Sequence, residues 1–479
     1  MFNIVTWNIN GIRSSQQNLK DLFDSLGADI ICLQETKITR DMLDETTALV
    51  DGYSSFYSFS RKRSGYSGVA TYCKNSCYPF QAEEGLAGTF NAHDDKIDFY
   101  DNVHSSFTDE GLRALDAEGR CVITLHKFKE EETLLSLVVV NVYCPNAGEN
   151  DERLPYKLEF YRALNLRCND LLSQGYSVIV LGDMNVSHRL IDHCEPEDVT
   201  NFSKSPSRVW LDGFLYEGGG KFVDSFRYLY PTKEKAFTCW NTKLNARVNN
   251  YGTRIDYIII SNELTHALQD CIIMSDVHGS DHCPVKSSIA LELIPSTKLP
   301  ALCTKYFKEF SGKQLKMSTF VCKRTLTSVE QSNEIEKESE GSEPKKMRLS
   351  MKTTKQQQSS LLNYFSMGTT NSVKESVSNS NLSCDTSKLK ESSKNSENSK
   401  SVLGTTNSFS SASAVWKSVF KGPPPPPLCN GHQEVCVLRT VKKKGPNMNR
   451  QFWACSRATG HSSDANAQCN FFVWASAKR

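Results

Sequence analysis

No run of about 18 consecutive apolar residues occurs in the chain, so a membrane-spanning helix is not expected. Its first residues, MFNIVTWNINGIR, lack the basic start and apolar stretch of a secretory leader, and export is not expected either. An excess of one charge sign is also missing. Lys and Arg number 56 against 54 Asp and Glu, a net charge of +2 over 479 residues. Affinity for a polyanion must therefore reside in local patches. Cysteine is not scarce, at 17 residues, but the count is odd and the spacing of a disulfide framework is absent. Cys32, Cys121, Cys144 and Cys271 stand singly in apolar segments, as in a reducing compartment. A soluble intracellular chain is expected, too long for one ordinary core.

Up to about residue 295 short apolar strands recur: FNIVTW, ADIICLQ, LSLVVVNVY, YSVIVLG, RIDYIIIS. Helical spacing appears near YKLEFYRALNLRCNDLLSQ, with Leu158, Tyr161, Leu164, Leu171 and Leu172 as the expected buried stripe. Strands mixed with helices, and polar residues at strand ends, predict an α/β layered fold with sites at a sheet rim. From about 325 to 414 Ser, Asn, Lys, Glu and Thr dominate and aromatics almost vanish. Such a stretch cannot bury enough apolar surface to offset chain entropy and is expected to be disordered. PPPPP at 423–427 is a stiff spacer, and a short segment rich in Cys and aromatics follows. The expected units are an α/β domain over 1–295, a tether over 296–427 and a small module over 428–479.

In the first unit the apolar strands share one design. SVIVL runs up to Gly182 and is followed at once by Asp183 and Asn185; NIVTWNIN ends in Asn8 and Asn10, and ADIICLQETK in Glu35. VVVNVYCPNAG carries Tyr143 and Asn146, RIDYIII contains Asp256, and GSDHCP supplies Asp281 and His282. A lone Asp or Asn after a strand is usually a turn former or a cap, so GDMN by itself says little. Asp256 inside RIDYIII is odder, because a buried carboxylate is costly without a partner. If these strands are neighbours, the polar ends converge, and converging carboxylates repel unless a cation neutralises them. Glu, Asp and Asn without Cys suit a hard ion such as Mg²⁺, with Mn²⁺ as an alternative. A His beside an Asp can hold a phosphate oxygen. The chemistry indicated is phosphodiester hydrolysis.

WNINGIR, LQETK, NVYCPNAG, GDMNVSH, NYGTRIDYIIIS and GSDHCP, in that order, resemble the exonuclease III family of abasic-site endonucleases over residues 1 to about 294. The resemblance implies a four-layer αββα sandwich with a Mg²⁺ site at one end. It implies Glu35 as principal metal ligand, with Asn8 or Asn10 and Asp281 nearby. Asp183 would orient or deprotonate the attacking water, Asn185 would help place it, and Asn146 would touch DNA. Tyr143 and His282 would stabilise the charged transition state, with Asp256 holding the His282 ring. In members specialised for abasic sites two aromatic residues line the sugar pocket; the corresponding positions here are Cys239 and Thr253. These smaller side chains favour processing of 3′ ends over incision at internal abasic sites; that the processing is 3′–5′ exonuclease and 3′-phosphodiesterase action on double-stranded DNA is what the resemblance implies. An RNA 3′-exonuclease, a phosphoinositide phosphatase of the same superfamily and a non-catalytic adaptor are the rival readings.

Within the tether, Gln358, Leu361, Tyr364 and Phe365 of QQQSSLLNYFS fit Q-x-x-[LIM]-x-x-[FY]-[FY], the pattern that docks on the sliding clamp, proliferating cell nuclear antigen. PKKMR at 344–348 suits a nuclear import signal, placing the chain in the nucleus, with cytoplasm and mitochondria as further compartments. In the last module Cys429, His432, Cys455 and Cys469 form C-x2-H…C…C, and Cys436 is a fifth candidate that spacing does not exclude. A unit this small needs a staple, and four N/S ligands suit tetrahedral Zn²⁺. LCNGH…NMNRQFWAC…CNFFVW resembles a GRF-type zinc finger, which implies the first four as the ligands. The family's Gly is replaced by Asn449, which tolerates left-handed φ. Arg439, Lys442, Lys443, Lys444, Arg450 and Arg457 face only Glu434 and Asp464, and are interleaved with Phe452, Trp453, Phe471, Phe472 and Trp474. Cations for phosphates and rings for bases suit single-stranded DNA.

Overall fold

The structure is a computed structural model that describes residues 1–14, 18–91, 96–196, 198–311, 426–443 and 445–475. The clamp motif and the basic run at 344–348 lie outside these residues. None of the described helices is long and apolar enough to cross a membrane.

Side-chain alternation along the strands builds the layers. In Phe2–Asn8, Phe2 and Ile4 enter one core while Val5 and Trp7 enter another. Ile30 and Cys32 part from Ile31 and Leu33 in the same way along Ile30–Gln34. Strands buried on both faces belong inside a stack, not on its surface. The first sheet has six strands, in the order Leu268–Ile273, Val285–Ile289, Phe2–Asn8, Ile30–Gln34, Val69–Lys74, Tyr53–Ser58. The second has seven: Glu292–Ile294, Cys121–Glu130, Thr133–Tyr143, Ser177–Asp183, Asp256–Ser261 and Phe222–Asp224, with Gln81–Glu84 pairing the second of these. Ile4, Cys32, Val139, Leu181 and Ile258 meet in one core between the two sheets. Helix Leu19–Leu26 covers the outer face of the first sheet, and helices Leu154–Ser173 and Pro206–Phe214 cover that of the second. The order is therefore αββα, as expected.

Three expectations change in detail. The strand at SVIVL does not end at Gly182; pairing continues through Asp183, opposite both Tyr143 and Asp256. Gly182 is needed there, because a Cβ would stand 1.8 Å from the Val142 carbonyl oxygen. The stripe on helix Leu154–Ser173 includes Tyr161, Leu164 and Leu171, but Leu158 and Leu172 are only partly buried. Lys157, Arg167 and Asp170 are buried instead, and Arg167 is paired with Glu83 at 2.6 Å. Packing also runs past 295. Leu302 and Cys303 enter the inter-sheet core, Phe307 and Phe310 the outer one, and the Thr304 hydroxyl donates to Ala48 O at 2.8 Å. Packing against the two cores therefore continues at least to Phe310.

His126, on Cys121–Glu130, is buried beside the Thr124 hydroxyl at 2.9 Å. Burial pushes its imidazole down to about 4. The unfolded chain then binds a proton below pH about 6.5 that the native state refuses. Stability should fall as pH drops from about 6.5 toward 4, by about 2 kcal/mol at pH 5 from this residue. Urea midpoints at pH 7 and pH 5, for the natural chain and His126→Leu, check this: the acid loss should be smaller in the variant.

Candidate active site and thiol cluster

The period of two that fills the inter-sheet core also builds the site. Asn8 continues the inward series Ile4, Thr6; Tyr143 continues Val139, Asn141; Asp183 continues Ile179, Leu181; Asp256 precedes Ile258, Ile260. Each is the last inward position of its strand at one end of the core, so strands from both sheets deliver polar groups to one place. Thr6, Gln34 and Asn141 form a polar layer just beneath, with Gln34 Nε2 donating to Asn141 Oδ1 at 2.8 Å across the sheets.

Asn8 Nδ2 donates to Glu35 Oε1 at 3.0 Å and to Asp183 Oδ2 at 2.9 Å, tying the two acids together. Its own Oδ1 accepts from Asn10 N–H at 3.1 Å, so Asn8 turns its amino group, not its oxygen, to the carboxylates. Asn10 Nδ2 donates to Asp281 Oδ1 at 2.8 Å. Asn185 N–H donates to Asp183 Oδ1 at 2.8 Å, Asn185 Nδ2 to Cys144 O at 2.8 Å, and Asn146 Nδ2 to Asn185 Oδ1 at 3.0 Å. Asn10, Glu35 and Asn185 all have φ between 52° and 54°, left-handed backbone that is strained for a residue with a side chain.

His282 Nδ1 lies 2.8 Å from Asp256 Oδ2, which also accepts from the Thr238 hydroxyl at 2.6 Å. Asp256 Oδ1 is buried with no partner. Asp183, Asp256 and His282 bring ligand-type atoms within 4.8 Å of one another, and Glu35 joins this trio through Asn8. Burial, then the facing Asp256, push the Asp183 carboxyl up to about 7, although His282 pulls it down. Burial disfavours charge on His282, yet Asp256 and Cys239 hold its imidazole well above the ordinary range. Burial and the nearby Glu35 and Asp183 keep the Tyr143 phenol protonated, hydrogen-bonded to Glu35. Glu35 itself stays below the usual carboxylate range despite burial, through Lys37, 2.7 Å away, Asn8 and Tyr143. Crowded acids, one of them proton-retaining, and an orphaned carboxylate oxygen fit a divalent cation bound to oxygen ligands.

Cys239 and Thr253, far apart in the chain, are direct cross-strand partners in the ribbon of Cys239–Trp240 with Gly252–Thr253. Cys239 bridges to His282. Together with Asp281 they line a cleft of ≈ 440 Å³.

The second cluster is built from thiols. Cys429, His432, Cys455 and Cys469 place one ligand atom each within 4.8 Å of the others, and buried Cys436 packs beside them without joining. His432 Nδ1 is 3.6 Å from Cys429 Sγ and 3.4 Å from Cys455 Sγ. Tetrahedral bonds of about 2.3 Å to sulfur and about 2.0 Å to nitrogen would set such pairs about 3.5 Å apart. His432 Nε2 lies 3.1 Å from Ala465 O, which places the proton there and leaves Nδ1 bare. Of the module's aromatics, Trp453 and Phe471 turn to the thiols. Phe452, Phe472 and Trp474 form a separate group, with Phe452 and Phe472 stacked at 4.9 Å and the Arg450 guanidinium 3.9 Å from the Trp474 ring. Asn449 takes φ 68°, the conformation expected of the residue in the glycine's place.

Comparison with known proteins agrees with both clusters. Residues 5–282 match the endonuclease/exonuclease/phosphatase family and residues 427–478 the GRF zinc finger. DNA-(apurinic or apyrimidinic site) endonuclease 2 of Xenopus laevis is 44% identical and that of Homo sapiens 38%, each match covering 99% of both chains. The crystal structure of the Xenopus laevis APE2 catalytic domain is 52% identical with a TM-score of 0.62, over 65% of this chain and 99% of that one. The chain belongs to the DNA-(apurinic or apyrimidinic site) endonuclease 2 family. It is accordingly a DNA-repair nuclease, a metal-dependent phosphodiester hydrolase.

Several groups that set up the endonuclease 2 site carry no motif. Arg120 is buried, donates from Nη1 to Tyr143 O at 2.9 Å and places its guanidinium 4.5 Å from the Tyr143 ring. Lys157 Nζ donates to Asn185 O at 2.7 Å from the facing helix. Thr238 fixes Asp256.

Proposed function

We propose that the chain acts mainly on 3′ ends of duplex DNA, as a 3′–5′ exonuclease and 3′-phosphodiesterase, with weaker incision at internal abasic sites, in base excision repair and the DNA damage response. The wall at Cys239 and Thr253 carries this reading: both small side chains are half-buried, Cys239 bridges to His282 with Thr253 paired beside it, and neither can stack on an extrahelical sugar. Glu35, Asp183, Asp281 and the carboxamide oxygens of Asn10 and Asn185 would hold Mg²⁺ or Mn²⁺, which when bound neutralises charge on the phosphate oxygens. Asn8, expected as a ligand, instead turns its amino group to Glu35 and Asp183 and positions them. Asp183, with a proton affinity near neutrality, accepts the proton of the attacking water, and Asn185 orients that water. His282, kept cationic by Asp256, and the Tyr143 phenol donate to the phosphate oxygens as charge builds on them. Asn146 buttresses Asn185 where DNA enters.

The thiol cluster would hold Zn²⁺ through Cys429, His432, Cys455 and Cys469. The finger would bind single-stranded DNA through Lys443, Arg450 and Phe452, with Phe472 and Lys443 well exposed. The motif Gln358, Leu361, Tyr364, Phe365 would dock on the sliding clamp, and the chain would work in the nucleus. Elemental analysis should find one zinc per chain, lost in Cys455→Ser together with salt-sensitive single-strand binding.

Labelled duplexes with an abasic site, a recessed 3′ end or a blocked 3′ end, beside RNA and inositol phosphates, test the substrate. End removal with Mg²⁺, abolished by EDTA, is expected. Dominant cleavage at the internal site would overturn the inference from Cys239 and Thr253.

A further inference from the structure

The finger meets the nuclease domain through one turn. Thr459 N–H donates to Leu244 O at 3.1 Å, and Asn249 Nδ2 donates to Ala458 O at 3.0 Å and Thr459 O at 3.4 Å. The Ser462 hydroxyl donates to Glu195. Gly460 permits the approach: a Cβ there would come within 3.1 Å of Asn249 Nδ2. An exposed pair, Lys443 with Glu149 at 3.2 Å, adds little. The contact is polar and backbone-directed, which fixes orientation more than it adds affinity.

Its position matters more than its size. Leu244 and Thr459 line the cleft that holds Cys239, Thr253 and Asp281, and also a second cleft of ≈ 740 Å³ that reaches Phe452 and Phe472. The two clefts therefore adjoin at the docked turn, and a path leads from the candidate active site to the finger's aromatic group.

We propose that Leu244, Asn249 and Glu195 form a docking surface for the chain's own 458–462 turn, and that docking holds the finger's aromatic face in line with the cleft at Asp281, so that one nucleic-acid strand is gripped at both. The second half rests on the reading of the finger as a single-strand binder. Asn249→Asp turns the bridging donor into a carboxylate facing two carbonyl oxygens, and Glu195→Ala removes the acceptor for Ser462. In the full zinc-loaded chain, amide hydrogen exchange over 456–463 should rise about tenfold in Asn249→Asp. Unchanged exchange in both variants would overturn the docking. For a recessed 3′ end opposite a single-stranded extension, KM should rise about threefold to tenfold in Asn249→Asp with kcat unchanged, because a tethered second contact is lost. Altered exchange with unaltered KM would retain the docking and overturn the alignment. If the natural chain fails to bind single-stranded DNA, the reading of the finger falls, while the exchange result still decides the docking.

Discussion

Asp183→Asn should lower single-turnover cleavage of a recessed 3′ end by about 10²–10⁴-fold, the scale set by losing a positioned general base. The substitution keeps shape and removes both the capacity to take a proton and the negative charge offered to the cation. Asp183 is fully surrounded by protein, faces Asp256 across the ladder and is raised to about 7 by burial and that neighbour. A carboxyl whose folded pKa is raised loses stability as pH climbs from the unfolded value of about 3.9 to about 7 and carries the full cost above that, so the neutral amide should leave the melting temperature unchanged or higher at pH 8. Loss of activity with retained or increased stability separates a catalytic acid from a structural one. Normal cleavage by this variant would instead remove Asp183 from the role of base.

That pairing was only partly readable in the sequence. The inward period of two, visible in FNIVTW and YSVIVLG, determines which strand-end residues share a face. Each motif therefore disclosed its own polar terminus. What the chain order hides is register. Nothing in GDMN or RIDYIII says that Asp183 and Asp256 lie directly opposite, or that Cys239 pairs with Thr253. Residues that act through tertiary contact were hidden for the same reason. Arg120 follows a Gly in a plain EGRC stretch, and Lys157 sits on a helix whose apolar spacing gave no sign that a lysine is buried there. In the finger, composition supplied the ligands and the ring count, but only strand pairing separates Trp453, turned inward, from Phe452 beside it.

The second large effect concerns stability beneath the site. Asp192 is buried between two arginines. Its Oδ1 accepts from Arg254 Nε at 2.8 Å and Arg227 Nε at 3.0 Å, and its Oδ2 from Arg254 Nη2 at 3.0 Å. Asp224 accepts from Arg254 Nη2 at 2.7 Å, so two buried cations face two buried anions. Asp192→Asn leaves one positive charge unbalanced where water cannot reach it, at a cost of about 3–5 kcal/mol. A melting temperature lower by about 10 °C is expected. The two arginines hold the Asp192 carboxyl far below the usual range despite burial. Its folded pKa being depressed, its contribution is fully present above the unfolded value of about 3.9 and is lost only as pH falls below it. The deficit of Asp192→Asn should therefore be the same at pH 7 and pH 5, unlike the loss tied to His126. Arg254 stands between Thr253 and Asp256 and donates its N–H to Asp192 O at 2.9 Å, so the cluster is the floor on which the ribbon wall and the His282 partner rest. At a temperature where the variant is still folded, kcat should fall before KM changes, because Asp256 positions His282 and neither Asp192 nor Arg254 lies on the substrate cleft. An equal rise in KM alone would mean that the cluster serves the wall and not the His282–Asp256 pair.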